Sequence, residues 1–548
     1  MLSLLFLSHL VYAAVEGPVF QSRSDLNPPI FTVLINNKSL VTPGYFFVAP
    51  YSVVQSGPYI YDNSGQLVWS GFGDSGAANS HDFKVITYMG SDHLSFFNGD
   101  QASGFALGHG LILDDTYNIV RSVQTGNGVA SSDQHEFRVI NNGTQALMTM
   151  FRPVQFDLSQ AGITDGQGWL LDGVFQNVNV TTREVLFEWH ASDHVPLNNT
   201  EVLPNGSDIS GDGLSAATAW DWFHINSVDR FEDGDYLISS RHTSCIYKIN
   251  QTNGDIIWKL GGRTSTFDIQ GFNFSFQHDA RVRAESNTSV LMSFFDNASN
   301  GFNQSRLQSS GKMVELDLVN KTATLVRDYQ APLGGLLSTS QGNLQLLGNG
   351  NRVVGWGSIP AISEYSMEGD CVFYGNLSGG ENYRAYKFNF TSSPLNSPSL
   401  YTFAQSNNAT AETFFAVSWN GATEVATWRF YGAVNEAGLY EVIGSTDRNG
   451  FETTYTDSTY HPFCIAEAIN VDGKGLKNST VTGTFVPSTS LAQHCDTNGC
   501  PLAQQANGPQ QILARDGPRM ALRVSIATSL HVHMWSLGAL MLAFCILF

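Results

Sequence analysis

The 548-residue sequence is poor in charge, and above all in basic residues. Only 14% of its residues are charged, where about 25% is usual. The 28 Lys and Arg stand against 48 Asp and Glu, which gives a formal net charge of −20. This deficit excludes a nucleic-acid binder held by a general basic field. Gly (52), Phe (36) and Tyr (19) are abundant, a composition that indicates a turn-rich β protein with ample core.

Cysteine is also scarce, and none of the six residues has a spacing that resembles a zinc site. Cys495 and Cys500 are close enough to close a small loop, which an oxidising compartment allows. Cys545 lies in the terminal apolar tail, so an odd number of other cysteines remains and their pairing stays open. We expect no metal and no cofactor.

Both ends of the chain predict export. Residues 1–14 are apolar and end in a small-residue pattern typical of secretory cleavage sites, although the segment does not begin with a Lys or Arg. Residues 531–548 form a hydrophobic tail whose last fifteen residues are apolar throughout. Such a run spans only about 22 Å of a ~30 Å hydrocarbon core, so a GPI-attachment signal for a membrane or cell wall is favoured over a membrane helix. About fifteen Asn-x-Ser/Thr sequons agree with an extracellular or cell-surface glycoprotein.

A repeated unit organises most of the chain: an apolar strand, a turn rich in Asp, Asn or Gly, and a second strand. Six copies occupy residues 58–69, 111–123, 175–189, 245–260, 313–329 and 362–375. Another two-strand unit precedes copies two to six, at 81–97, 135–150, 224–240, 278–294 and 340–356. Four strands repeated about six times are the signature of a β-propeller. We therefore predict an all-β fold with a six-bladed β-propeller over residues 20–397.

The remaining segments have different patterns. Two longer insertions, around 151–174 and 190–223, are expected to form loops or caps on one face of the propeller. Residues 398–489 contain short stretches of alternating apolar and polar residues, which predict a small immunoglobulin- or fibronectin-like β-sandwich. Residues 490–530 are polar and poor in aromatics, as expected of a linker or stalk.

Histidine begins the inner strand of several repeat units. The residues in this register are His81, His135, His224 and His278. The first strand of each propeller blade lines the central channel, so equivalent positions converge on one axis. A single histidine there is more often a structural hydrogen-bonding residue. A ring of them beside Asn226 and Arg241 favours a functional site.

These residue types suit the chemistry of oxyanions. Neutral imidazole is a nucleophile and proton acceptor near pH 7, and imidazolium donates two hydrogen bonds. Arg241 ends the strand pair that begins at His224, and its planar fork suits a tetrahedral oxyanion. Asn226 adds a neutral donor on the same strand face as His224. A metal held by three or four of the histidines is the less favoured alternative.

Three motifs carry a resemblance to a known family. Residues 223–227 (FHINS), 239–242 (SSRH) and 277–281 (QHDAR) look like the active-site motifs of the arylsulfotransferase (ASST) family. The stretch from Ser22 to Gly357 is similar to its fungal branch. The resemblance implies a propeller that moves a sulfuryl group from an aryl sulfate to a phenolic acceptor, with no nucleotide sulfate donor. Bacterial members carry their extra β domain at the N-terminus, whereas here it follows the propeller.

The resemblance also implies roles for individual residues. His278 would be the nucleophile and would form a sulfohistidine intermediate. His224, Asn226 and Arg241 would bind the sulfuryl oxygens, and His135 would match the remaining histidine of the family's site. His81 receives no role from the resemblance.

Two other functions remain open. A non-catalytic extracellular propeller that binds glycans or proteins would use the same scaffold, sandwich and anchor. A different propeller enzyme, such as a hydrolase or a quinone-dependent oxidoreductase, is less favoured because the sequence has no matching cofactor motif.

Overall fold

The computed structural model describes residues 17–73, 79–102, 104–129, 131–204 and 210–500. The predicted signal peptide (1–14), the linker from residue 501 onward and the hydrophobic tail (531–548) lie outside the described residues. What is described is almost entirely β-structure, which confirms the predicted all-β class.

Five short strands begin the chain. They are β1 (Phe31–Asn36), β2 (Tyr45–Val48), β3 (Pro50–Tyr51), β4 (Tyr59–Tyr61) and β5 (Leu67–Ser70). Of these, β2, β4 and β5 lie in one antiparallel sheet. The sheet that follows contains β6 (Asn79–Tyr88), β7 (Ser91–Gln101), β8 (Ala106–Leu113) and β9 (Ile119–Val123), paired in sequence order.

Three further sheets repeat this arrangement. The first contains β10 (Phe137–Ile140), β11 (Gln145–Asp157), β12 (Gln167–Asn179) and β13 (Val185–His190). The second contains β14 (Ile225–Arg230), β15 (Tyr236–Ser240), β16 (Cys245–Ile249) and β17 (Ile256–Gly261). The third contains β18 (Asp268–Gln270), β19 (His278–Glu285), β20 (Ser289–Asp296), β21 (Ser310–Asp317) and β22 (Thr322–Gln330). In that sheet β18 joins the outer edge, parallel to β22.

The last sheets of the series join distant parts of the chain. The strands involved are β23 (Asn343–Leu346), β24 (Arg352–Gly355), β25 (Ala361–Tyr365), β26 (Cys371–Leu377), β27 (Glu381–Asn382) and β28 (Tyr386–Phe388). Strands β23 to β26 pair in sequence order, and β1 adds to the outer edge of β26. Strand β28 pairs with β2, and β27 with β3, so the series ends by pairing with its own beginning.

Apolar clusters lie between successive sheets of this series. One packs Phe47 and Trp69 of the β2/β4/β5 sheet against Phe83 and Phe96 of the next sheet. Similar clusters join each following pair of sheets. A further cluster joins residues of β24 to β26 to residues of β1, β2 and β4. Each sheet therefore buries both faces against its neighbours, as the repeat pattern requires.

The two insertions differ from each other. The first, expected to be a loop or a cap, is mostly a strand hairpin: β11 and β12 stay paired from Gln145↔Asn179 to Asp157↔Gln167. Half-buried Val154, Phe156 and Trp169 pack on the adjacent core, which extends the hairpin beyond the other sheets. The second insertion is irregular, with a short helix α1 (Ala191–His194). Single 3₁₀ turns occur at Asn141–Gly143, Ser159–Ala161, Leu197–Asn199 and Ala216–Thr218.

Residues beyond about 398 form two facing sheets. Their strands are β29 (Ser399–Phe403), β30 (Thr413–Ser418), β31 (Thr427–Ala433), β32 (Glu441–Asp447), β33 (Glu452–Asp457), β34 (Phe463–Ile469), β35 (Gly475–Asn478) and β36 (Thr482–Gly483). The sheet orders are β29-β30-β33 and β32-β31-β34-β35, with β36 also on β34. Buried Phe415, Trp428, Phe430 and Ala466 pack between them.

The described chain ends with a short helix α2 (Thr489–Ala492) and a small disulfide loop. Cys495 and Cys500 are bonded, as their spacing indicated. Cys245, Cys371 and Cys464 are free thiols, and Cys545 lies outside the described residues. No helix in the part of the chain that the structure describes is long and apolar enough to span a membrane.

Candidate active site

The predicted site residues lie at one end of the inner strands. His278 is the first residue of β19, and Asn226 lies in β14 directly after Ile225. His224 immediately precedes β14, Arg241 immediately follows β15, and His135 lies two residues before β10. All five are buried, with 3% or less of each residue exposed. His224 has a left-handed backbone with φ 54°, a strained conformation that often marks functional sites.

Direct contacts bring these residues together. The rings of His135 and His224 lie 4.8 Å apart between centroids, edge to face. The backbone N–H of Arg241 donates to the carbonyl of His224 at 2.9 Å. The Asn226 amide donates at 2.7 Å to the carbonyl of Gln277, the residue before His278. The five positions that the sequence places far apart therefore form one cluster.

The hydrogen bonds of His278 identify which ring nitrogen carries the proton. Its Nδ1 lies 2.7 Å from Oδ1 of Asn297, while the Asn297 amide nitrogen donates to the carbonyls of Ser338 and Gln341. Asn297 Oδ1 is thus the acceptor, so Nδ1 of His278 carries the proton. The lone pair then lies on Nε2, which accepts a 3.2 Å hydrogen bond from the backbone N–H of Gln341.

Burial keeps His278 and His224 neutral. It lowers the pKa of His278 well below its usual value, and the nearby Arg241 guanidinium lowers this pKa further. Burial has the same effect on His224, where the His135 ring and Arg241 add to it. A neutral imidazole is the form that attacks an electrophile.

Two aspartates orient the other histidines. Asp221 Oδ2 lies 2.5 Å from Nδ1 of His224, and Asp133 Oδ2 lies 2.5 Å from Nδ1 of His135. In each pair the carboxylate holds the proton on Nδ1 and leaves Nε2 to face the site. Burial raises the pKa of Asp221.

Arg241 connects the cluster to a further histidine. One of its terminal nitrogens lies 2.6 Å from Nε2 of His242, and the other donates to the carbonyl of Thr339 at 3.2 Å. The His242 ring lies 4.7 Å from that of His224. These contacts fix the guanidinium beside the rings, where it can bind an oxyanion bidentately.

His81 lies at the edge of the cluster. Its ring contacts Tyr51 at 4.8 Å and Tyr383 at 6.2 Å, and Tyr383 separates it from His135. Burial lowers the pKa of His81 to about 3. Neither ring nitrogen has a hydrogen-bond partner within the described residues.

A layer of charged side chains lies directly beneath the histidines. The acids Asp82, Glu136 and Asp279 each follow a histidine of the predicted register. The buried guanidinium of Arg384 contacts all three, at 3.0, 3.2 and 3.4 Å. It also donates to the backbone carbonyls of His135 (2.9 Å) and Asn226 (3.0 Å), which ties the charged layer to the layer above.

Comparison with known proteins identifies the family. Residues 84–377 match the model of the arylsulfotransferase (ASST) family. The chain belongs to the arylsulfotransferase family. All five predicted site residues of this family member lie within the matched region.

Other comparisons add little. No curated protein matches the chain. A Bacteroides caccae protein of unknown function has a TM-score of 0.36 at 14% identity, covering 63% of this chain and 99% of that one. A Lactobacillus plantarum protein has a TM-score of 0.32 at 11% identity, covering 63% and 100%. A streptogramin B lyase has a TM-score of 0.27 at 10% identity, covering 69% and 86%. Similarity at this level supports no inference about this arylsulfotransferase-family chain.

The cluster includes one set of potential metal ligands. Asp221, His224 and His242 have ligand atoms within 4.8 Å of one another. However, Nδ1 of His224 already bonds Asp221, and the Arg241 guanidinium lies against Nε2 of His242. A cation there would face the fixed positive charge of Arg241. The residues therefore suit an anion better than a metal ion.

Sequence reasoning missed several residues of the site. Asp133, Asp221, His242, Asn297 and Arg384 received no role, although each contacts a predicted residue. A signal for two of them was available, because an aspartate precedes His135 by two residues and His224 by three. Asn297 forms part of a glycosylation sequon, yet it is fully buried and bonds His278.

Proposed function

We propose that this protein is a secreted or surface-anchored sulfotransferase that moves a sulfuryl group from an aryl sulfate to a phenol through a sulfohistidine on His278. The observation that carries the proposal is the neutral His278, whose Nδ1 is held by Asn297 so that the lone pair lies on Nε2, in the same buried cluster as Arg241. For the attack, this lone pair gives up its hydrogen bond from the backbone N–H of Gln341. Family membership supports the reaction class. Similarity to the fungal branch remains part of the proposal.

The first step forms the covalent intermediate. Nε2 of His278 attacks sulfur, the bond from sulfur to the aryl oxygen breaks, and the aryl oxide leaves with the electron pair. Arg241, the second N–H of the Asn226 amide and His224 would bind the sulfuryl oxygens as their charge shifts. His224 donates to a sulfuryl oxygen only when its Nε2 holds a proton, a state that burial opposes. Asp221 on Nδ1 and the negative charge of the sulfuryl oxygens would compensate the positive charge of that state.

The second step returns the enzyme to its starting state. A phenolic acceptor attacks the sulfur of the sulfohistidine, and the bond from sulfur to Nε2 breaks. His135, whose Nδ1 is held by Asp133, accepts the phenolic proton on Nε2 and then releases it to the departing aryl oxide or to solvent. The two-step route lets donor and acceptor use the same site in turn.

Aromatic side chains beside the cluster suit aryl substrates. The Phe151 ring lies 5.4 Å from the rings of both His135 and His224, and Phe105 stacks on it at 5.6 Å. Phe151 belongs to the long β11–β12 hairpin. Because the histidines are buried, an aryl sulfate must displace side chains such as Phe151 to reach them.

The domain organisation belongs to the same proposal. The six larger sheets of residues 31–388 would be the blades of a six-bladed propeller over 20–397. The pairing of β28 with β2 and the cluster that joins the last and first sheets support this arrangement. The facing sheets would form the sandwich module over 398–489. The signal peptide, stalk and GPI signal complete this organisation as sequence predictions.

Incubation of the purified protein with p-nitrophenyl sulfate tests the function. We expect nitrophenol release that depends on an added phenol and falls on the order of 10³-fold or more in His278→Ala. His93→Ala, on strand β7 away from the cluster, is the matched control and should retain full activity. Release that ignores the acceptor would instead indicate a hydrolase. No release, together with retained glycan binding, would favour the non-catalytic propeller.

A further inference from the structure

A recess lies at the end of the inner strands that is opposite to the candidate active site. Its volume is about 380 Å³, within the range of small-molecule sites. Its charged lining residues are Lys84, Arg138, Arg281, Arg283 and Asp279, so four of the five are basic. The uncharged polar residues of the lining are Thr87, Asn141, Asn142, Gln345 and Tyr386. This feature plays no part in the proposed sulfuryl transfer.

The sequence places the basic residues at fixed distances from the histidines. Lys84, Arg138 and Arg281 each follow a histidine of the predicted register by three residues, in the segments HDFK, HEFR and HDAR. Arg283 follows His278 by five residues. At about 3.3 Å per strand residue, these side chains begin roughly 10 to 16 Å from the histidine layer. The charged layer around Arg384 lies between the two ends.

Three of the four basic side chains have acidic partners. Lys84 pairs with Asp82, Arg281 pairs with Glu136 and Asp279 at 2.7 Å each, and Arg138 pairs with Asp229 at 3.2 Å. These ion pairs compensate the charges of the three basic side chains, and a structural role is enough to explain each pair. They do not by themselves indicate a ligand.

Arg283 is the exception. Its Nε donates to the Ser293 hydroxyl at 2.7 Å, and a terminal nitrogen donates to the carbonyl of Leu344. Among the described residues, no carboxylate lies within ion-pair distance of this guanidinium. Burial lowers the pKa of Arg283 to about 10, although the charges of Asp279 and Asp229 act in the opposite direction. Arg283 therefore stays charged at pH 7 without a directly paired carboxylate among the described residues. Nε of Arg138, in the same lining, is also buried without a partner among the described residues.

From this arrangement we infer that the recess is a second anion-binding site, which takes a tetrahedral oxyanion such as sulfate or phosphate on Arg283 and Arg138. The planar forks of two arginines match such an anion bidentately. A bound anion supplies the counter-charge that Arg283 lacks. The chain as a whole carries −20, so a local excess of positive charge facing a cavity is contrary to its general composition.

Calorimetric titration of the full chain with sodium sulfate at low ionic strength tests the inference, with phosphate and chloride in parallel runs. We expect wild type to bind both oxyanions but not chloride at comparable concentrations. Arg283→Gln should weaken this binding roughly tenfold or more, because charged hydrogen bonds to the anion are lost. Arg241→Gln, which alters only the candidate active site, should leave it in place.

Controls separate the recess from general charge effects. Arg263→Gln removes one exposed positive charge outside the recess and should bind like wild type. Circular dichroism checks folding, and if Arg283→Gln does not fold, Arg138→Gln replaces it with an expected several-fold loss. Equal affinity in wild type and the recess variants would overturn the inference. So would loss in Arg241→Gln alone, or the same loss in Arg263→Gln.

Discussion

The histidine layer and the charged layer lie one residue apart on the same strands, yet they are opposite in character. In the upper layer, burial keeps His81, His224 and His278 neutral, and His81 has no hydrogen-bond partner within the described residues. In the lower layer, Arg384 contacts three carboxylates, and Arg281 and Lys84 complete their pairing. One layer consists of neutral rings, and the other satisfies its charges.

The difference separates chemistry from structure. Buried charges are stable only when they are paired and hydrogen-bonded, so the lower layer is built for rigidity. Its central residue donates to the backbone carbonyls of His135 and Asn226, which positions the upper layer. A site that binds a developing charge works best when its groups are fixed in advance. The charged layer therefore provides the preorganisation that the histidines need.

Breaking the lower layer should have the largest effect on stability. Arg384→Met leaves Asp82, Glu136 and Asp279 without their shared partner, and removal of one member of a buried ionic network typically destabilises a fold by about 3–5 kcal/mol. Chemical denaturation of wild type and variant measures this difference. Methionine keeps much of the volume, so the change reports mainly on charge.

Arg429→Met is the matched control for that variant. Arg429 pairs with Glu467 at 3.3 Å, but its side chain is 40% exposed. Exposed pairs contribute only about 0–1 kcal/mol. If the two variants lost the same amount of stability, the lower layer would not be the structural element that its contacts indicate.

Breaking the upper layer should affect activity more than stability. Arg241→Gln removes the charged fork beside the rings, and loss of one oxyanion donor typically lowers turnover about 100-fold or more. We expect the free energy of unfolding to change by less than it does in Arg384→Met. Arg241→Lys keeps the charge but not the bidentate geometry, so partial recovery is expected. Wild-type turnover in Arg241→Gln would remove this residue from the site.

The sequence predicts the strands and the convergence of the histidines. It does not predict how a histidine and the acid that follows it can both point toward the central axis. In a regular strand, His278 and Asp279 would point to opposite faces. The pairing of β19 with β20 shifts register between His278 and Arg281, and Asp279 has φ 55°. The same irregularity follows His81, where Asp82 has φ 60°. Such bulges redirect side chains and have no clear sequence signal.

The partners of the histidines were missed for a related reason. Asp221 reaches His224 from the irregular insertion, and Asn297 reaches His278 from the end of the neighbouring strand β20. The sequence pattern locates strands by alternation, and it carries no comparable signal for a loop residue or for a cross-strand amide. The strand extension of β11 and β12 was not predicted, because it packs on the core beyond the repeat.

The response to acid should sharpen the contrast between neutral and charged histidines. A histidine whose folded pKa lies below its unfolded value of about 6.5 binds fewer protons when folded, so stability falls as pH drops below 6.5. His81, His224, His242 and His278 are of this kind. Each contributes up to about 1.4 kcal/mol per pH unit below that value. His190 is the opposite case: hydrogen bonds to Asp172 and Glu188 raise its pKa to about 9, so its stabilisation is complete below pH 6.5 and is lost as pH rises through 9.

Denaturation at pH 7, 6 and 5 measures this effect, with His278→Asn and His190→Asn as the matched pair. Removing His278 should reduce the loss of stability on acidification. In this pH range its side chain binds a proton in the unfolded state but not in the folded state, and the variant loses that difference. Removing His190 should not reduce that loss, and it should weaken the protein at pH 6. The same shift predicts that the transfer rate stays nearly constant from pH 8 to pH 6, since His278 remains neutral throughout. A rate that halved near pH 6.5 would show that its imidazole titrates like one in water, and the buried cluster would then be open to solvent during catalysis.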